Sequence, residues 1–122
     1  MELKIHQQQD TAVAEVLDPQ VIIQTTQDGI DLMGNVYYQG YDRVILHQHQ
    51  LTPAFFDLSS KIAGEVLQKF STYRMRLAIV GDFSKLIQES RALKDFIHES
   101  NQGRQVYFTD SLEAALSWLS SK

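Results

Sequence analysis

Leu3 and Ile5 alternate with Lys4 and His6, the period of a strand buried on one face. Gln7 to Asp10 is a polar break, and Thr11 to Leu17 reads as a second strand carrying Val13 and Val16, so the chain opens with a β-hairpin. Asp18-Pro19 then interrupts it, because proline lacks a ladder donor and restricts the residue before it. Val21 to Ile23 fits either an extended piece or a helical lead-in. From Thr26 to Tyr38 the spacing of Ile30, Met33 and Tyr37 predicts a helix. Gly29 and Gly34 each weaken that helix by about 1 kcal/mol relative to alanine. Such glycines often mark close packing, and Gly40 is placed to end the helix.

The rest of the chain repeats a simpler pattern. Val44 to Leu46 is a short apolar run, read as a buried strand. Leu58, Ile62, Val66, Leu67 and Phe70 follow helical spacing, with Asp57, Ser59 or Ser60 as candidate caps. Leu77 to Val80 is the clearest buried strand, and Gly81-Asp82 ends it. Leu86, Ile87, Leu93, Phe96 and Ile97 predict one helix centred near Leu93, with Ser90 a candidate start and Gly103 a stop. Val106 to Phe108 is a strand, and Thr109 or Asp110 is expected to cap a last helix bearing Leu112, Ala115, Leu116 and Leu119. The order is β-β-α-β-α-β-α-β-α. It predicts a single α/β domain over residues 1–122, an N-terminal hairpin followed by alternating helices and strands, with a mixed, largely parallel sheet.

Composition narrows the function classes. The 122 residues contain no cysteine, which removes disulfides, thiolate metal sites and cysteine nucleophiles. Eleven basic residues against fifteen acidic ones leave a net charge of −4, unsuited to gripping phosphate backbones, so no nucleic-acid partner is expected. No apolar run approaches the roughly 18 to 20 residues of a membrane span. The opening residues lack the basic and apolar regions of a signal peptide, so the expected location is the cytoplasm.

In an open α/β sheet, ligands meet the loops at the carboxyl ends of the strands. Here those loops begin at His47, Gly81 and Thr109. His47-Gln48-His49 could turn two imidazoles the same way, but a stable metal site needs three or four ligands, and no metal or cofactor is expected. Gly81-Asp82-Phe83-Ser84-Lys85 has one glycine and the order Ser-Lys, not the glycines and Lys-Ser of a phosphate loop. The commoner role of such a segment is a strand-to-helix turn. Phe55 to Ser60 places serines at an expected helix start, where a phosphate would add about −2 charge beside a partner surface. The commoner arrangement is a capped helix behind two core phenylalanines. Tyr37, Tyr38 and Tyr41 could stack bases, but tyrosines more often pack a helix on a sheet. No nucleophile-elbow motif appears, and no catalytic residue is assigned.

Longer blocks carry a resemblance. Tyr38 to Asp42, Phe55 to Leu58, Ile62 to Phe70, Leu77 to Lys85, Asp95 to Asn101 and Ser111 to Ala115 resemble an uncharacterised bacterial family, domain of unknown function forty-one-eighty. The resemblance implies a bacterial cytoplasmic protein and no established activity. More distantly, the element order resembles STAS domains, typified by anti-sigma factor antagonists. In those domains the serine after the aspartate of an Asp-Ser-Ser-Gly-like segment is phosphorylated, and the same edge binds a kinase. Here Leu58 separates Asp57 from Ser59-Ser60, and Lys61 stands where their glycine would be.

The expectation is therefore a non-enzymatic, STAS-like regulatory module. It would bind a protein partner through Asp57, Ser59 and Ser60 together with Gly81, Asp82, Ser84 and Lys85, with Ser59 or Ser60 as the switch. The alternative is a small-molecule binder or enzyme with a pocket around His47, Asp57 and Asp82. A third expectation is self-association through a sheet edge or the tyrosines.

Overall fold

A computed structural model describes residues 1–121. Strands β1 (Glu2–Gln8) and β2 (Thr11–Leu17) pair antiparallel along their whole length, from Glu2 opposite Leu17 to Gln8 opposite Thr11. The turn between them is only Gln9 and Asp10, and Gln9 takes the left-handed conformation (φ 55) that so tight a reversal needs. Strands β3 (Arg43–His47), β4 (Arg76–Val80) and β5 (Val106–Thr109) then add in parallel, giving the order β1-β2-β3-β4-β5. The expected α/β class and mixed, largely parallel sheet are what the chain forms.

Five α-helices accompany the strands: α1 (Thr26–Tyr38), α2 (Ile62–Thr72), α3 (Ser84–Glu89), α4 (Arg91–Gln102) and α5 (Leu112–Ser120). The single helix expected over Leu86 to Ile97 is two. Ser90 is extended between them (φ −140, ψ 109), and its side chain accepts the Leu93 N–H, so it starts α4 alone while Leu86 and Ile87 belong to α3. Ser111 rather than Thr109 or Asp110 caps α5, accepting from Ala114 N–H at 3.1 Å. The uncertain piece after Pro19 is extended, with Ile23 bridging to Leu51 in parallel.

Alternation along the strands divides the core into two layers. Ala14, Val16, Val44, Leu46, Leu77 and Ile79 face the larger one, where they meet side chains of α1, α2 and α4. Val13, Ile45 and Ala78 face Ala115 and Leu119 of α5, the helix packed on the opposite face. Two arginines fasten α5. The Arg76 guanidinium lies 4.2 Å from the Trp118 ring centre and donates to the carbonyls of Trp118 and Ser121, and Arg43 donates to those of Leu119 and Ser121. Positive charge thus meets the unpaired carbonyl end of the helix, where its dipole is negative.

The α1 face differs from the expected one. Gly29, Leu32, Met33 and Val36 are buried, whereas Tyr37 is half-exposed against Tyr73 and Tyr38 is almost fully exposed. Tyr41 packs partly into the core, so the three tyrosines do not act together. Gly29 is where α1 and α2 touch: a Cβ there would lie 2.6 Å from Val66 Cγ2. At Gly34 a Cβ meets nothing within 4 Å. Gly29→Ala should therefore destabilise the fold by about 1–3 kcal/mol through overpacking. Gly34→Ala should stabilise it by about 0.5–1 kcal/mol. Urea denaturation of the two variants side by side checks both signs.

Candidate functional site at the carboxyl rim of the sheet

Parallel pairing sends the carboxyl ends of β2 to β5 to one rim, and the chain builds that rim from three short turns. After His47 come single 3₁₀ turns at Gln48–Gln50, Pro53–Phe56 and Leu58–Ser60. The first is organised by Gln50, whose side chain is fully buried. Its Oε1 accepts the His47 N–H at 2.9 Å, and its Nε2 donates to the carbonyls of Val16 and Asp18. A buried amide satisfied on both sides costs little and pins the end of β3 to the end of β2. Nothing in the polar Gln48-His49-Gln50 run distinguishes Gln50 from its neighbours before folding.

The second turn buries Phe55 and Phe56, as expected of them. The Phe56 ring lies 5.8 Å from Phe83, which lies 5.4 Å edge-to-face from Phe108. These contacts tie the 53–60 segment to the 81–85 loop. Gly81 closes the rim on the other side: a Cβ there would stand 2.4 Å from the Gln48 side chain, so only glycine lets the two turns approach. The two distant segments singled out in the sequence therefore share one edge.

Within it, Asp57 Oδ1 accepts from the Ser59 N–H at 3.1 Å and the Ser59 hydroxyl at 2.7 Å, with Asp57 and Ser59 both exposed. Ser60 is half-buried; its hydroxyl donates to the Ala54 carbonyl at 2.6 Å and accepts the Ile62 N–H at 3.3 Å. None of the three caps α2 in the expected way. The residue before α2 is Lys61, left-handed at φ 68, and the Asp57 carboxylate serves the short turn ahead of it. On the neighbouring loop, Asp82 Oδ1 accepts from the Ser84 hydroxyl and N–H at 2.7 and 3.0 Å. Those two bonds hold the Asp82 carboxyl below the usual aspartate range. Lys85 is exposed at the start of α3.

Between the turns runs an open groove of about 430 Å³, bordered by Asp57, Leu58 and Ser59 on one side and Leu86, Glu89 and Leu93 on the other. A second hollow, lined by Val21, His49 and Leu51, shares Pro53, Phe56 and Leu86 with it. Neither is lined by His47 or Asp82. His47 turns elsewhere. Its Nε2 lies 2.6 Å from Glu15 Oε2, while His6 Nε2 lies 2.8 Å from Glu15 Oε1. The rings of His47 and His49 stack at 5.9 Å, and His49 Nε2 contacts the Asp18 carbonyl instead. Among the described residues no group of three such side chains is arranged to hold a metal ion.

Sequence spacing does not join Glu15 to His6 and His47, which lie nine and 32 residues away. The available signal was Glu15 itself, a charge inside the apolar run of β2 and on the same face as Val13. Glu15 is 5% exposed. Burial pushes its carboxyl upward, but hydrogen bonds from His6 and His47, with their charge, outweigh that and hold it below the ordinary 4.5.

Comparison with protein families supplies one match. The model for Domain of unknown function (DUF4180) covers residues 8–119. The chain belongs to that family. Comparison with curated proteins and with solved structures gives no match. The DUF4180 assignment spans every element from the end of β1 to α5, including the whole rim. It names a family without naming an activity.

The lowered Glu15 value fixes the sign of a pH effect. A carboxyl whose folded value is depressed contributes stability above its unfolded value, and loses it as pH falls through the folded one. Glu15→Gln should cost about 1.5–3 kcal/mol near neutral pH, the range for hydrogen bonds to charged groups. The gap from the parent chain should close below about pH 4.5. Denaturant titrations of both proteins across pH 3 to 7 check this, and the tertiary signal of the rim should change with the fold.

Proposed function

We propose that this DUF4180 domain is a non-enzymatic, protein-binding regulatory module whose partner surface is the carboxyl rim, with Ser59 as its switch. The observation that carries the reading is the groove itself. It is open, Phe56, Leu58, Leu86 and Leu93 give it apolar walls, and the exposed Ser59 stands at its border. Open apolar surface with a polar margin suits a protein side chain better than an enclosed small molecule.

Ser59 suits the switch better than Ser60. The Ser59 hydroxyl faces solvent and is already oriented by Asp57, whereas the Ser60 hydroxyl is tied to Ala54 and Ile62. The distant resemblance to anti-sigma factor antagonist domains points the same way. Lys61 has the left-handed backbone suited to the glycine of that motif, and counting back from it would align Ser59 with the serine phosphorylated in those domains. A partner kinase would transfer the terminal phosphoryl group of a nucleoside triphosphate to Ser59 Oγ, which gives up its proton. The added charge would stand beside Asp57 and Glu89, displace the Asp57 bond and repel an acidic partner. Gly81, Asp82, Ser84 and Lys85 form the neighbouring margin of the same surface.

The small-molecule alternative around His47, Asp57 and Asp82 has no comparable support, because His47 is engaged by Glu15.

Capture from the native host with the parent chain, Ser59→Ala, Ser59→Glu and Leu86→Asp as baits tests the reading. One partner should be retained by the parent and Ser59→Ala, and lost at least tenfold with the other two. A Ser59→Glu protein that keeps every interaction would overturn it. Ser60→Ala should instead lower stability by about 1 kcal/mol and leave capture intact.

A further inference from the structure

The two edges of the sheet are finished differently. At β5 the Asn101 side chain of α4 donates to the Phe108 carbonyl at 3.0 Å and accepts the Phe108 N–H at 2.7 Å. An amide there imitates a neighbouring strand and closes an edge only four residues long. The other edge, β1, is seven residues long and carries no such cover among the described residues.

The hairpin decides which of its groups face outward. Across a two-residue turn the flanking pair, Gln8 and Thr11, exchanges both backbone bonds. The pairs of His6, Lys4 and Glu2 with β2 do the same, since bonded pairs alternate. Leu3, Ile5 and Gln7 therefore present their N–H and C=O groups away from the sheet. Ile5 is also 40% exposed, one of few large apolar side chains left so open.

From these features we infer that two copies of the chain associate edge to edge through β1, antiparallel about a two-fold axis at Ile5, to form one continuous sheet. Charge selects the register. With the axis at Lys4, the two Lys4 side chains would stand directly opposite each other, which is unfavourable. With the axis at His6 or Gln7, the amino end of β1 would be left unpaired. At Ile5 all seven residues pair, Ile5 covers its own copy and Leu3 meets Gln7. Each Lys4 then lies opposite His6 of the other copy rather than opposite its own counterpart. The partner is a second copy because the same strand supplies both the outward groups and the apolar centre, and it pairs with itself over all seven residues, as a two-fold interface demands. This inference is independent of the rim and of Ser59.

Sedimentation over a concentration series, with the parent chain, Ile5→Lys and Ile5→Pro, is the test. The parent should sediment as a dimer. Ile5→Lys should weaken it at least a hundredfold by placing two ammonium groups at the axis. Ile5→Pro should do the same while keeping the hairpin, because the amide it removes faces outward. Ile5→Cys provides a readout that requires no disruption. The chain has no other cysteine, and bonded antiparallel pairs have Cα atoms about 5.5 Å apart, so mild oxidation should yield a cross-linked dimer. A parent chain that is monomeric throughout, or a dimer that survives Ile5→Lys and resists cross-linking at Ile5→Cys, overturns the proposal.

Discussion

Everything in this molecule follows from the need to cover both faces of the β3–β4 pair. Val44, Leu46, Leu77 and Ile79 point one way, Ile45 and Ala78 the other, and all are fully or almost fully buried. Parallel strands cannot be joined by tight turns, so each crossover brings a helix, and the helices supply that cover. The cover is unequal. Several helices pack on one face and α5 alone on the other, so the second face runs out of apolar material toward β1. There the protein uses a polar device, one buried carboxylate held by two imidazoles from β1 and β3.

The same crossovers create the rim. Because β2 to β5 run in one direction, the segments leaving their carboxyl ends must share an edge, however far apart they lie in the chain. The contact of Phe56 with Phe83 and the approach of Gly81 to Gln48 turn that shared edge into a packed surface. Asp57 with Ser59 and Asp82 with Ser84 repeat one arrangement on it, a carboxylate accepting the hydroxyl and the N–H of the serine two residues on. The first of these turns borders the groove and the second lies on the 81–85 loop joined to it through Phe83, and the family match covers that whole region.

Local pattern was enough wherever a residue's neighbours in sequence were also its partners. The hairpin, the three parallel strands after it and the Ser90 start of α4 could be read directly, since period, apolar runs and caps are short-range properties. The register of the amphipathic helix α1 could not. Its glycines lower the local helical signal, and only contact with Val66 shows that Gly29 belongs inside. The break between α3 and α4 was hidden for a similar reason: Leu86, Ile87 and Leu93 enter one core from two helices, and a spacing argument merges them.

What the amino-acid sequence determined by itself was the α/β class, the order of the strands, the absence of thiol chemistry and the location of the loops that could carry function. Tertiary structure alone decided which polar groups meet. Glu15 joins His6 and His47 across nine and 32 residues, and Gln50 reaches β2 across 34. Hydrogen bonds of that range depend on strand register and on the burial that makes an unpaired polar group costly, and neither exists until the sheet has formed.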